Sequence, residues 1–105
     1  MKKIFMNEAL RLAEIAAQEG EVPVGAVVTI GNKIIGTGRN RREKGKNALH
    51  HAEIEAINEA CQRLGGWRLW ECDLYVTLEP CPMCTGAIIN SRISTVIFGA
   101  YDLNA

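Results

Sequence analysis

From Met6 the apolar residues recur as Ala9, Leu10, Ala13, Ala16 and Ala17, a helical spacing, with Glu8, Glu14, Gln18 and Glu19 on other faces and Gly20 as a stop. The pattern then changes. Val24 to Ile30 and Lys33 to Thr37 are rich in β-branched residues and meet across Gly31 and Asn32, which predicts a two-stranded hairpin. Gly38 to Asn47 holds no apolar residue and reads as an exposed loop. A second helix is expected from His50 or His51, with Ile54, Ile57, Cys61 and Leu64 as its buried stripe and Gly65 and Gly66 at its end. Leu74 to Leu78 reads as a strand, Pro82 to Asn90 as a helix with proline in its first turn, and Ser94 to Phe98 as a last strand. Helix, hairpin, helix, strand, helix, strand is an order that favours parallel crossovers. It predicts one α/β domain over residues 1–105, built as three layers.

Composition narrows the class without naming it. The chain has 105 residues, 48% hydrophobic and 23% charged, as in ordinary globular domains. Twelve Lys plus Arg balance twelve Asp plus Glu, so no global charge draws the chain to nucleic acid or to an anionic membrane. A polyanionic partner must then be met locally, and the basic loop with Arg39, Arg41, Arg42, Lys44 and Lys46 against Glu43 is the one such patch. The uncharged run Val22 to Asn32 is roughly half of the about 20 apolar residues a membrane span needs, and Pro23 and Gly25 break it. Asn7, Glu8, Arg11 and Glu14 interrupt any apolar region of a secretion leader. The expectation is a cytoplasmic protein with no membrane partner.

In a reducing compartment, cysteines at 61, 72, 81 and 84 point to metal binding or free thiols rather than disulfides. A catalytic zinc takes three thiolate or imidazole ligands and keeps a fourth position open. His51, Cys81 and Cys84 supply such a set. With Pro82 opening a helix, Cys81 sits at its cap and Cys84 one turn on, where the partial positive charge of the helix end favours thiolates. His51 lies at the start of the preceding helix, and Glu53 stands two residues on, a carboxylate able to carry protons between a water and a substrate nitrogen. This is equipment for hydrolytic deamination.

His51-Ala52-Glu53 followed by Pro80-Cys81-Pro82-Met83-Cys84 matches the H-x-E and P-C-x-x-C signature of zinc-dependent deaminases. Val22-Pro23-Val24-Gly25-Ala26-Val27, Asn40-Arg41, and Ser91-Arg92-Ile93 with Val96 to Asp102 add to it, and over nearly the whole chain the sequence resembles the bacterial TadA-type tRNA adenosine deaminases. The resemblance implies a cytidine-deaminase-like α/β/α fold with a mixed sheet, a homodimer, and conversion of adenosine to inosine at the wobble position of a tRNA anticodon loop. It implies one zinc ion per chain on His51, Cys81 and Cys84, with Glu53 as proton shuttle. It also implies that Asn40 contacts the target base, that the Ala52 backbone and the Val24 side chain line the pocket, and that Asp102 meets a neighbouring nucleotide. The basic loop would hold phosphates of the anticodon stem-loop. The family pattern continues past Ala105, so a last strand and C-terminal helices are expected to be absent here.

Other readings of the same residues stay open. Cys-Pro-Met-Cys alone also resembles a redox pair, although such pairs usually follow the first strand of their domain. A structural site using all four cysteines would make a silent zinc-stabilised fragment, but 61 and 72 lack paired spacing and read as buried thiols. Deaminases of guanine, cytosine or deoxycytidylate share both zinc motifs. Trp67 and Trp70 could stack bases, yet read better as packing or interface residues. His50 reads as a surface or capping residue, and Met83 as core.

Overall fold

The computed structural model describes residues 2–100. Helix α1 (Lys3–Gln18) leads into the hairpin of β1 (Gly25–Ile30) and β2 (Lys33–Arg39). Helix α2 (Ala52–Leu64), strand β3 (Cys72–Val76), helix α3 (Pro82–Asn90) and strand β4 (Thr95–Phe98) follow. The strands form one mixed sheet in the order β2-β1-β3-β4, antiparallel except for the β3–β4 pair. Gly31, with φ of 58°, takes the first central place of the two-residue hairpin turn, where a positive φ is needed.

Side chains alternate between the two faces of the sheet, as the pleat requires. Ala26, Val28, Leu74 and Val76 pack with Ala52, Ala56, Ala60 and Ile88, so α2 and α3 cover one face. Val27 and Tyr75 pack with Phe5 and Leu12, so α1 covers the other. The result is the expected α/β/α layering.

The helix faces differ from the expected stripes in a physically informative way. In α1 the buried residues are Phe5, Ala9, Leu12, Ala13 and Ala16, while Leu10 is 51% exposed. In α2 they are Ala52, Glu53, Ala56, Ile57 and Ala60, whereas Ile54 is only half-buried and Leu64 is 44% exposed. The inward face of α2 is the face of small residues because the strand beneath it is bare. A Cβ built on Gly38 would fall on the Ala52 carbonyl oxygen and 2.8 Å from the Ala56 nitrogen, and one on Gly36 would fall on the Ala56 carbonyl oxygen and 3.0 Å from the Ala60 nitrogen. Helix backbone thus rests on strand backbone. A bulge in β2, between the Val28–Gly36 and Thr29–Ile34 pairs, turns both Ile35 and Gly36 toward α2. Gly38 and Arg39, expected in the loop, extend β2, and β3 begins and ends two residues earlier than expected.

Because nothing can yield between two backbones, Gly38→Ala is expected to destabilise the fold by about 1–3 kcal/mol. Gly66→Ala, which meets nothing within 4 Å, is expected to change stability by less than about 0.5 kcal/mol. Urea denaturation of both proteins checks this, and equal midpoints would contradict the packing account.

Candidate metal centre and cleft

The starts of α2 and α3 converge at the carboxyl end of β3, the end of an α/β sheet where ligands bind. His51 is the N-cap of α2, and Cys81 is the N-cap of α3 with Pro82 behind it. Cys84 follows in the first turn of α3 and is buried. The His51 Nδ1 atom lies 3.6 Å from the Sγ of Cys81 and 3.6 Å from that of Cys84. The three ligand atoms lie within 4.8 Å of one another. One imidazole and two sulfurs at the positive ends of two helices form a donor set suited to zinc, so the His51-Cys81-Cys84 group can hold a metal ion.

Glu53 is 4% exposed and hydrogen-bonded to the Cys84 side chain. Burial raises its carboxyl pKa, against the hydrogen bonds from its own backbone and from Cys84. Burial likewise pushes the Cys84 thiol far up, with the Glu53 and Cys81 charges adding to it. His51 is lowered by burial and then by the Arg42 charge, which favours the neutral imidazole that ligates metals. Ionising two thiols beside a carboxyl in this corner is costly unless a cation sits among them. The donor set therefore fits the ion by charge as well as by spacing.

An open cleft of about 140 Å³ leads to this corner. It is lined by Val22, Val24, Asn40, Arg42, His51, Ala52, Glu53, Leu78, Glu79 and Cys81. Three of the four expected pocket residues, Val24, Asn40 and Ala52, lie on it, and Asp102 lies outside the described residues. Asn40 is buried and fixed: its N–H donates to the Val24 carbonyl at 3.1 Å, and its Oδ1 accepts the Arg42 N–H at 3.2 Å.

The family model for MafB19-like deaminases matches residues 1–105. The chain belongs to this deaminase family. The tRNA-specific adenosine deaminase of Bacillus subtilis is 50% identical over 100 residues, covering 95% of this chain and 62% of that protein. That of Rickettsia bellii is 52% identical over 99 residues, covering 92% and 68%. Several of the curated relatives are thus matched over only about three-fifths of their length. A solved structure from a study of A-to-I editing by tRNA:A34 deaminases superposes with a TM-score of 0.96 at 42% identity, covering 99% of this chain and 75% of that one. Guanine deaminase of Bacillus subtilis superposes with a TM-score of 0.91 at 38% identity, covering 96% and 66%. The cytidine-deaminase-like fold expected from the motifs is the fold of these neighbours.

Within this deaminase fold the basic loop differs from its expected form. Arg39 pairs with Glu19 at 2.8 Å, Lys44 reaches the same carboxylate at 3.5 Å, and Arg41 pairs with Glu55 at 2.9 Å. Three of the five cations thereby have a carboxylate partner, Arg39 largely covered and Arg41 and Lys44 at the surface, and Arg42 and Lys46 have no acidic partner among the described residues. The buried Glu21 carboxylate accepts the N–H groups of Glu43 at 3.1 Å and Lys44 at 2.8 Å, tying the loop to the end of α1. Neither Glu21 nor the cleft position of Arg42 stood out in the sequence. Glu21 is one polar residue after a helix, and Arg42 is one of several equivalent charges. Trp67 and Trp70 are exposed beyond the end of α2, with the Arg68 guanidinium 4.2 Å from the Trp67 ring centre. His50 is half-buried, and its Nδ1 is enclosed where a Cβ on Gly45 would stand. Met83 is half-buried, Cys72 is buried, and Cys61 packs against the core.

Arg39 holds the Glu19 carboxyl down to about 2, chiefly through its hydrogen bonds. A carboxyl depressed by folding contributes stability that is present above its ordinary range and fades as pH falls toward 2. Glu19→Gln is therefore expected to lose less stability than the unaltered chain between about pH 4.5 and 2, measured as urea midpoint against pH. Parallel curves would show that the pair contributes nothing.

Proposed function

We propose that residues 1–105 form a single zinc-dependent hydrolase domain that converts adenosine to inosine at the wobble position of a tRNA anticodon loop. The observation that carries this reading is the His51-Cys81-Cys84 group beside the buried Glu53, at the inner end of a cleft, in a chain half identical to tRNA-specific adenosine deaminases. His51, Cys81 and Cys84 would hold one zinc ion per chain. When bound, such an ion supplies Lewis acidity that lowers the pKa of a water to about 7.

The protein's own groups account for the rest of the chemistry. Glu53 would take a proton from the attacking water and deliver it to N1 of the adenine as the water oxygen bonds to C6. It would then pass the second water proton to the exocyclic nitrogen, the C6–N bond would break, and ammonia would leave a carbonyl at C6. Burial of Glu53 keeps bulk water from taking those protons. With its Oδ1 already committed to the Arg42 N–H, Asn40 has its amide hydrogens to donate to a ring nitrogen of the base. Val24 would pack on the base, and the Ala52 backbone, in the first turn of α2 where N–H groups lack helical partners, would meet its edge. Asp102 would meet a flanking nucleotide.

The partner on this reading is a tRNA anticodon stem-loop, the working assembly a homodimer, and the location cytoplasmic. No helix among the described residues is long and apolar enough to cross a membrane. A second reading, deamination of a free base, is favoured by the superposition on guanine deaminase.

The purified chain, with zinc measured on the same sample, is expected to form inosine in an anticodon stem-loop carrying a wobble adenosine. Glu53→Ala is expected to cut the rate by about 10²–10⁴-fold while zinc stays bound. Turnover of guanine with no inosine would favour the second reading, and inosine formation untouched by Glu53→Ala would remove Glu53 from the chemistry.

A further inference from the structure

We propose that Arg42 is a phosphate-binding residue at the cleft wall, positioned by Glu21. This rests on the deaminase reading above and adds to it the residue that meets the substrate's phosphate.

Of the loop's cations, Arg39, Arg41 and Lys44 are held by Glu19 and Glu55, while Lys46 does not line the cleft. Arg42 lines it beside Asn40, His51 and Glu53, is exposed, and has no acidic partner among the described residues. Its planar fork of donors matches a phosphate. The backbone that carries it is tied on both sides. Its N–H donates to Asn40 Oδ1 at 3.2 Å, its carbonyl accepts the Asn47 N–H at 3.2 Å, and the next two N–H groups go to Glu21. Glu21 is buried, so its carboxylate cannot follow the loop into solvent and acts as a fixed anchor.

The charges inside the cleft give the ligand a direction. Glu53 is buried at the inner end of the cleft, where an anion is unfavourable, and Arg42 is the only cationic side chain among the described lining residues. A ligand with a neutral base and an anionic tether would lie base inward, beside Asn40 and Glu53, with its phosphate on Arg42. A free base carries no phosphate for that arginine to meet. The Asn40 Oδ1 accepts the Arg42 backbone N–H, so the base contact is tied to the stretch of backbone that carries the phosphate contact.

Fluorescence anisotropy of a labelled anticodon stem-loop over a salt series tests this, with deamination of the stem-loop, of adenosine 5′-monophosphate and of free guanine measured on the same proteins. Arg42→Ala is expected to weaken stem-loop binding about tenfold or more and to lower the log–log salt slope by about one. Arg42→Lys is expected to keep the slope and lose part of the affinity. Arg63→Ala removes the same charge at the far end of α2 and is expected to keep the slope. Glu21→Gln separates positioning from bulk charge, because losing a negative charge alone would tighten RNA binding, whereas a loosened Arg42 weakens it. A circular dichroism melt confirms that this variant is folded. Unaltered affinity and slope in Arg42→Ala, or tighter binding by Glu21→Gln, would overturn the proposal while leaving tRNA deamination intact. Arg42-dependent turnover of the monophosphate with no stem-loop binding would support the phosphate site and overturn the tRNA reading. Turnover of guanine alone would overturn both.

Discussion

The contact of α2 with the bare stretch of β2 is the constraint on which the site depends. Ala52, Ala56 and Ala60 recur every four residues and lie over Gly38 and Gly36 with no side chain between the two backbones. Interiors are packed densely enough that such an approach has little freedom to slide or tilt. It fixes the start of α2, and with it His51 at the cap and Glu53 in the first turn. The crossover from β3 through α3 to the parallel β4 fixes the start of α3, and with it Cys81 and Cys84. Two helix ends converge, and their partial positive charges offset part of the burial cost of ionising the thiols and carboxyl gathered there.

A second set of interactions shapes the entrance. The end of α1 supplies Glu19 and Glu21, which between them take Arg39, Lys44 and two backbone N–H groups of the loop, and α2 supplies Glu55 for Arg41. The loop that looks like a diffuse basic patch is thus a tied structure with most of its charge neutralised. What it presents to the cleft is Arg42, beside an Asn40 that is itself held by the backbone of Val24. A formally neutral protein can in this way present one defined positive side chain at its cleft.

The candidate metal group was legible from the sequence because metal ligation restricts residue type and spacing so severely: His51, Cys81 and Cys84 stand out as letters and lie together in the structure. The β-branched run of β1, and the proline and glycine boundaries of α2 and α3, were legible for similarly local reasons. The inward faces of α1 and α2 were not. Reading hydrophobic size as burial favours Leu10, Ile54 and Leu64, while the structure buries alanines because glycines 25, 36 and 38 lie opposite them. That is a property of two segments together. The state of the loop's cations was equally hidden, since Arg39 meets a carboxylate twenty residues earlier in the chain. The same holds for Glu21, whose role exists only once the loop folds back on it.

The central claim is that the α2–β2 contact and the α3 crossover assemble a three-ligand metal site from His51, Cys81 and Cys84 and exclude the other two cysteines. Zinc K-edge absorption spectroscopy of the zinc-loaded protein tests it most directly. The account predicts two sulfur scatterers at about 2.3 Å and two nitrogen or oxygen scatterers at about 2.0–2.1 Å. A shell of four sulfurs, which would draw in Cys61 and Cys72, or a shell without sulfur, would contradict it.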